Sequence, residues 1–266
     1  MKGAPMGTPR AWRKLTLSFG LVSVPIAICP LTEDNSVRGK TLCVEHRLPV
    51  SRTWRCEAGE EVTNEGTVIG YAVDDDYVVL PEGELAALVP VADGVVTLDA
   101  FVPEKDVDPV YYDRSYLSWP TETGLTAYVL FRDALRKTGR VAVGKVLLTK
   151  RERLCVVRYS AVTDSLVVHV CSFHGDLRRR DVDLVRGTVT GKSDPTLLKE
   201  AVRMVEALSG DFRPEGIRDA YSEQLRIAIE AAARGTKPRT RKVTPKPRPP
   251  ADLLAQLRAS MEEVGK

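Results

Sequence analysis

Apolar positions along residues 125–173 change their period part-way. In LTAYVLFRDALRKTG they recur at helical spacing. Leu125, Tyr128, Phe131, Ala134 and Leu135 fall on one side, which predicts a helix with one buried face. Gly139 stands where a left-handed residue closes such a helix. RVAVGKVLL and LCVVRY then follow as β-branched segments joined by the polar TKRER, the pattern of an antiparallel hairpin, and SLVVHVCSF reads as a third strand.

The same reading extends over the rest of the chain. LTLSFGLVSVPIAI alternates and predicts a strand pair or a bent strand, with a kink at Gly20 and with Pro25 at an edge or bulge. Residues 40–44 and 53–56 read as short strands, and 71–80 as a hairpin closed by the acidic turn Asp74, Asp75, Asp76. Pro81 opens a short helix, EGELAAL, and 95–101 is a further strand. DVDPVYYDRSYLSWP is dense in aromatics and turn residues. Tyr111, Tyr112, Tyr116 and Trp119 suit packing beneath a barrel end better than stacking on bases. DLRRRDVDL reads as a loop whose arginines are neutralised by neighbouring aspartates. Ser193 or Asp194 caps a helix whose apolar face is Leu197, Leu198, Ala201, Val202, Val205 and Leu208. EGIRDAYSEQLRIAIEAAARG is a second helix, with Ile217, Tyr221, Leu225 and Ile229 at four-residue steps.

These elements divide the chain. Residues 1–11 are an unstructured lead, 12–193 a mainly β body, and 194–235 a helical part. Residues 236–250, basic and broken by proline, cannot bury a core and form an extended, disordered linker. Residues 251–266 carry a short amphipathic helix with Leu253, Leu254, Leu257 and Met261 on one side, either a docking element that folds on a partner or a frayed tail.

Charge changes this picture more than composition does. Hydrophobic residues are 43% of the 266 but aromatics only 6%, so the core must be built mainly from Val, Leu, Ala and Ile. The formal charge of +3 conceals seven cations without an acid between Arg234 and Pro250. Without them residues 1–233 are slightly acidic, so affinity of the body for nucleic acid has to come from local patches. One such patch is the hairpin, where Lys145, Lys150, Arg151, Arg153 and Arg158 gather. It is suited either to gripping a phosphate backbone or simply to solvating a turn. A second surrounds the short strands, with Arg38, Lys40, Arg47, Arg52 and Arg55, and a third is the linker, with Lys237, Arg239, Arg241 and Lys242.

Five cysteines, an odd number, and no signal peptide or membrane-length apolar run predict a reduced cytosolic protein. His169 shares a strand face with Val167, Cys171 and Phe173, the position of a structural histidine. No nucleophile elbow, phosphate-cradling glycine loop or H-E-x-x-H occurs, and no carboxylate spacing marks a metal pair. Cys43, His46 and Cys56 could supply three zinc ligands, but Gly59 stands where a fourth would fall, so no metal or cofactor is expected.

LSFGLVSVPIAI, RCEAGEEV, IGYAVDDDYVVL, DVDPVYYDRSYLSWP, AYVLFRDALRKTGRVAVGKVLLTKRERLCVVR, FRPEGIRDAYSEQL and DLLAQLRASMEE follow the order and spacing of landmarks in the bacterial Ku proteins. The chain resembles that family from about residue 11 to residue 235 and again in its last segment. The resemblance implies a β-barrel with a long arched insertion, closed into a ring by a second copy. It implies threading of double-stranded DNA ends without sequence preference, and recruitment of a multidomain ATP-dependent DNA ligase for non-homologous end joining. No catalytic residues are implied. It makes the three basic groups, Arg158 apart, candidate DNA contacts and the helices of 194–233 a help to dimerisation. It also makes the terminal leucines and Met261 the ligase contact, and a cytoplasmic, nucleoid-associated location the natural one. Many relatives carry a second cysteine where Gly59 stands, a departure that weakens a zinc assignment further. Two other classes compete, a metal-dependent enzyme acting on nucleic acid and a protein adaptor that touches DNA only through its tail.

Overall fold

The computed structural model describes residues 9–88, 94–148 and 151–236. Two compact units divide them. One lies within Met1–Asp34 and Leu42–Arg178, the other within Asn35–Thr41 and Arg179–Lys266.

The first unit is built on β1 (Arg13–Phe19) and β2 (Val22–Pro30), a hairpin turning at Gly20. A long excursion then supplies two separate ribbons. These are β3 (Trp54–Arg55) with β4 (Glu61–Val62), and β5 (Gly70–Val73) with β6 (Asp76–Val79). After the short α1 (Glu82–Leu88) come β7 (Val95–Pro103), β8 (Tyr112–Pro120), α2 (Leu125–Thr138), β9 (Arg140–Leu148), β10 (Arg151–Ser160) and β11 (Ser165–Cys171). Strands β1-β2-β8-β11-β10-β9-β7 close into a barrel. Seven strands cannot alternate in direction all the way round, so one seam must be parallel. That seam is β1 with β7, where Thr16, Leu17 and Ser18 pair with Val95, Val96 and Thr97.

Alternation sends one residue in two to the interior. Leu15, Leu17, Val24, Ile26, Ile28, Val96, Val146, Val157, Leu166 and Val168 form the core, joined by Tyr128, Phe131 and Leu135 of α2. Helix α2 ends as its sequence predicts. Gly139 takes a φ of 62° and its N–H bonds to the Leu135 carbonyl. Pro25 sits inside β2, yet the β8 ladder reaches only Ile26, so its missing N–H deprives no partner strand. The Pro25 carbonyl accepts from Thr121 N–H at 3.2 Å.

Four local expectations are corrected. Residues 40–44 form no strand, only a bridge between Leu42 and Pro49. The second part of DVDPVYYDRSYLSWP, Tyr112–Pro120, is the barrel strand β8. Its pattern is disguised because Ser118 takes an interior place, where its hydroxyl donates to the Leu166 carbonyl at 2.6 Å. The charged link TKRER is not all turn. Arg151, Glu152 and Arg153 continue β10 opposite Leu148, Leu147 and Val146. From Arg179 onward DLRRRDVDL is helical, within α3 (Arg179–Thr188), where charges at helical spacing pair along the surface, as Asp183 does with Arg186 at 3.8 Å.

The second unit holds α3, α4 (Pro195–Ala207) and α5 (Ala220–Ala233). The Asp194 carboxylate accepts from Thr196 N–H and Leu197 N–H and caps α4. Helix α5 begins later than its sequence pattern predicts, behind a single 3-10 turn at Pro214–Gly216, with Asp219 as cap. The apolar faces are rotated as well. On α4 the partly covered line is Leu197, Glu200, Ala201 and Met204, and Leu198, Val202 and Val205 are exposed. On α5 it is Ser222, Leu225, Ala228 and Ala231, leaving Tyr221 and Ile229 exposed, as is Ile217 ahead of the helix. Among the described residues no helix is long and apolar enough to cross a membrane.

Candidate nucleic-acid interface

The basic hairpin does not present its charges on one face. On β10, Arg151 and Arg153 continue the side that carries Cys155 and Val157 into the barrel core. Lys145, Glu152 and Arg158 point to the opposite side. Lys145 Nζ lies 3.2 Å from Glu152 Oε2, so its charge is already answered. Arg151 and Arg153 have no ion pair among the described residues. They are the guanidiniums of this hairpin free to take a phosphate.

Arg158 is a strut. Its Nη1 meets Glu104 Oε1 at 3.0 Å and its Nε donates to His169 Nε2 at 2.9 Å. The other imidazole nitrogen, Nδ1, meets Ser115 Oγ at 2.8 Å, and Tyr112 stacks on the ring at 4.5 Å. Burial first, then the Arg158 charge, holds His169 down to about 4. This histidine clasps the 104–112 segment to the outer wall of the barrel, the structural role its strand position predicts.

Around the short ribbon, Arg47, Arg52 and Arg55 are exposed. Arg55 pairs with Glu61 directly across β3–β4 at 3.4 Å, a surface pair of small energetic weight. Arg47 and Arg52 have no ion pair among the described residues. Between Arg52 and Arg55 lies Trp54, 57% exposed, which hydrophobic periodicity does not single out. The sequence signal for it is an aromatic set between arginines in RTWR. Arg38 and Lys40 belong to the second unit, with α3–α5. Lys150, Lys237, Arg239, Arg241, Lys242, Leu253, Leu254, Leu257 and Met261 lie outside the described residues.

Cys43 Sγ lies 3.6 Å from His46 Nδ1, and N–H groups of His46 and Glu45 hold its thiol below the usual range. Among the described residues no three His, Cys, Asp or Glu side chains gather as a metal site would require. Gly59 explains the local chemistry. It takes a φ of 89° in the tight turn where its N–H bonds back to Cys56 O, a conformation costly for a cysteine. Inside the barrel wall, burial raises the Cys155 thiol and pushes Cys171 up to about 11. Both are poor nucleophiles.

A barrel closed by one parallel seam, interrupted after its second strand by ribbons and followed by helices, defines the class of the protein. The Ku70/Ku80 beta-barrel domain matches residues 18–203, and the chain belongs to the Ku family. It is 31% identical over 255 residues to the "Non-homologous end joining protein Ku" of Heliobacterium modesticaldum, covering 94% of this chain and 91% of that protein. To the protein of the same name from Symbiobacterium thermophilum it is 31% identical over 96% of its length, but it spans only 63% of that longer relative. With the Mycobacterium tuberculosis protein it shares 29% identity over 94% of each.

Proposed function

We propose that this chain binds the ends of double-stranded DNA without regard to sequence and serves as a non-catalytic scaffold in non-homologous end joining. The observation that carries this reading is the family's barrel, with Arg151 exposed and Arg153 partly exposed at the end of a rigid hairpin, both unanswered by acid among the described residues. A sheet holds such charges at fixed spacing, which suits a regular backbone and ignores base edges. Two copies close the ring. The exposed Tyr71, Val73, Tyr77, Val78 and Val79 of the β5–β6 ribbon, and the bare apolar stripes of α4 and α5, are surfaces a second copy would cover. The segment with Leu253, Leu254, Leu257 and Met261 recruits the ATP-dependent ligase in the bacterial cytoplasm, at the nucleoid.

The test is a competition gel shift. Labelled linear duplex is bound, then challenged with equal masses of linear or covalently closed circular DNA. Competition by linear DNA alone supports a threaded ring. Equal competition by circles sinks it. The slight acidity of residues 1–233 favours a second reading, an adaptor that holds DNA only by its basic tail. Truncation after Gly235 separates the two, since a ring retains end binding without the tail and the adaptor loses it.

A further inference from the structure

The β3–β4 ribbon forms a cleft of about 460 Å³ lined by Arg52, Thr53, Trp54, Glu61, Val62 and Asn64, together with Thr63. Trp54 stands directly opposite Val62, so an indole and an aliphatic side chain share one face of the ribbon. The next pair along, Arg55 and Glu61, points to the other face and is joined by its own ion pair. Around the indole the lining is polar. The Arg52 guanidinium and the Asn64 side-chain amide have no hydrogen bond or ion pair among the described residues. The volume falls in the range of small-ligand clefts.

These parts have a common ligand chemistry. An exposed indole presents a π-face on which any nucleobase stacks. Val62 extends that apolar floor, the Asn64 amide can both donate to and accept from a base edge, and Arg52 supplies a cation for the attached phosphate. Inside a paired duplex the bases are already stacked, and even the terminal pair, whose outer face is open, has its pairing edges taken up by its partner and unavailable to Asn64. An unpaired nucleotide can. We propose that the Arg52–Trp54–Val62–Asn64 cleft binds an unpaired nucleotide of a single-stranded overhang at a DNA end. The proposal rests on the end-binding reading for its ligand and adds a second, single-strand site to it. The site gives ends with overhangs an advantage over blunt ends.

The experiment uses the full chain and a hairpin-capped duplex with one free end, either blunt or carrying a four-nucleotide overhang with 2-aminopurine in it, at one salt concentration. The wild type is expected to bind the overhang on the order of tenfold more tightly than the blunt end and to quench the 2-aminopurine by stacking. Trp54→Ala abolishes both the preference and the quenching and leaves blunt-end affinity unchanged. Trp54→Phe retains most of each. Arg52→Ala lowers the preference and leaves part of the quenching. A wild type without preference, or a Trp54→Ala protein that keeps preference and quenching, overturns the proposal. Blunt-end affinity of the wild type reports on the end-binding reading separately. A protein that ignores blunt ends yet quenches a free 2-aminopurine oligonucleotide through Trp54 sinks that reading and supports the cleft.

Discussion

Arg158 Nε donates to His169 Nε2 at 2.9 Å, so the fold favours the neutral form of this imidazole. Protonation would place a cation against a cation inside the wall of the barrel. The folded value near 4 lies below the usual 6.5, so the unfolded chain takes up the proton first as pH falls. This contribution to stability is complete above about pH 6.5 and declines toward about pH 4, where the folded protein protonates too. Between about pH 7 and pH 5 the loss is roughly 2 kcal/mol. Urea unfolding at the two pH values measures it. His169→Gln, which keeps an acceptor for Arg158 but cannot titrate, is expected to lose most of that pH dependence. An unchanged slope in the variant assigns the dependence to other groups.

Gly144 of β9 faces the bulge of β7, where the register slips between Leu98 and Ala100. A Cβ there would stand 1.8 Å from the Thr97 carbonyl oxygen and 2.8 Å from Leu98 Cα. Both are backbone atoms and cannot rotate aside. Gly144→Ala therefore forces the strands apart, at about 3 kcal/mol, the upper end for overpacking. Gly187→Ala, with open space around it on α3, is expected to be neutral or slightly stabilising. Thermal melts of the two variants side by side make the comparison. Equal melting temperatures would mean that the bulge yields freely.

The hydroxyl of Tyr128 ties α2 to two strands. It donates to the Ser118 carbonyl and accepts from Leu166 N–H, both at 2.9 Å, in a buried setting. Tyr128→Phe leaves that N–H without its partner and is expected to cost about 1–3 kcal/mol. Because Ser118 Oγ also lies 3.3 Å from the hydroxyl, Ser118→Ala and Tyr128→Phe should couple in a double-mutant cycle. Strict additivity would show that the two hydroxyls act independently.

The split of charges on β9–β10 makes the DNA prediction directional. Replacing Arg151 and Arg153 together with Ala is expected to weaken duplex binding about equally on all sequences. It should also flatten the log–log salt dependence by about two units, near one for each phosphate that is no longer neutralised. Lys145→Ala, removing a cation already paired with Glu152, should change both far less. Fluorescence anisotropy on end-containing duplexes over a salt series reads both quantities. A larger effect from Lys145 than from the arginines would reverse the assignment of the hairpin's faces.

The helix at 125–138 and the strands after it are legible in the sequence because burial there follows a clean period, with Tyr128, Phe131 and Leu135 on one side and a glycine at the stop. Strand β8 is not, since an interior serine and a half-exposed tryptophan break the alternation that marks a strand. Their places are made tolerable by a hydrogen bond from Ser118 to Leu166 and by neighbours far away in sequence. The faces of α4 and α5 lie about one position from where periodicity sets them, because these helices bury little. With so small a covered face, the period of hydropathy does not choose the side.

For the site, the order of residues supplies the inventory: which cations exist, that the hairpin and the linker concentrate them, and to which family they belong. It does not assign their partners. That Lys145 is answered by Glu152 and Arg158 by Glu104 and His169, while Arg151 and Arg153 are not, depends on strand register. The placing of Trp54 opposite Val62, with Gly59 in the turn between their strands, depends on it too. Register is settled by closure of the barrel and by tight turns, where a slip of one residue sends every side chain to the other face. Local composition carries the charges. The pairing of distant strands selects which of them remain free to meet a partner.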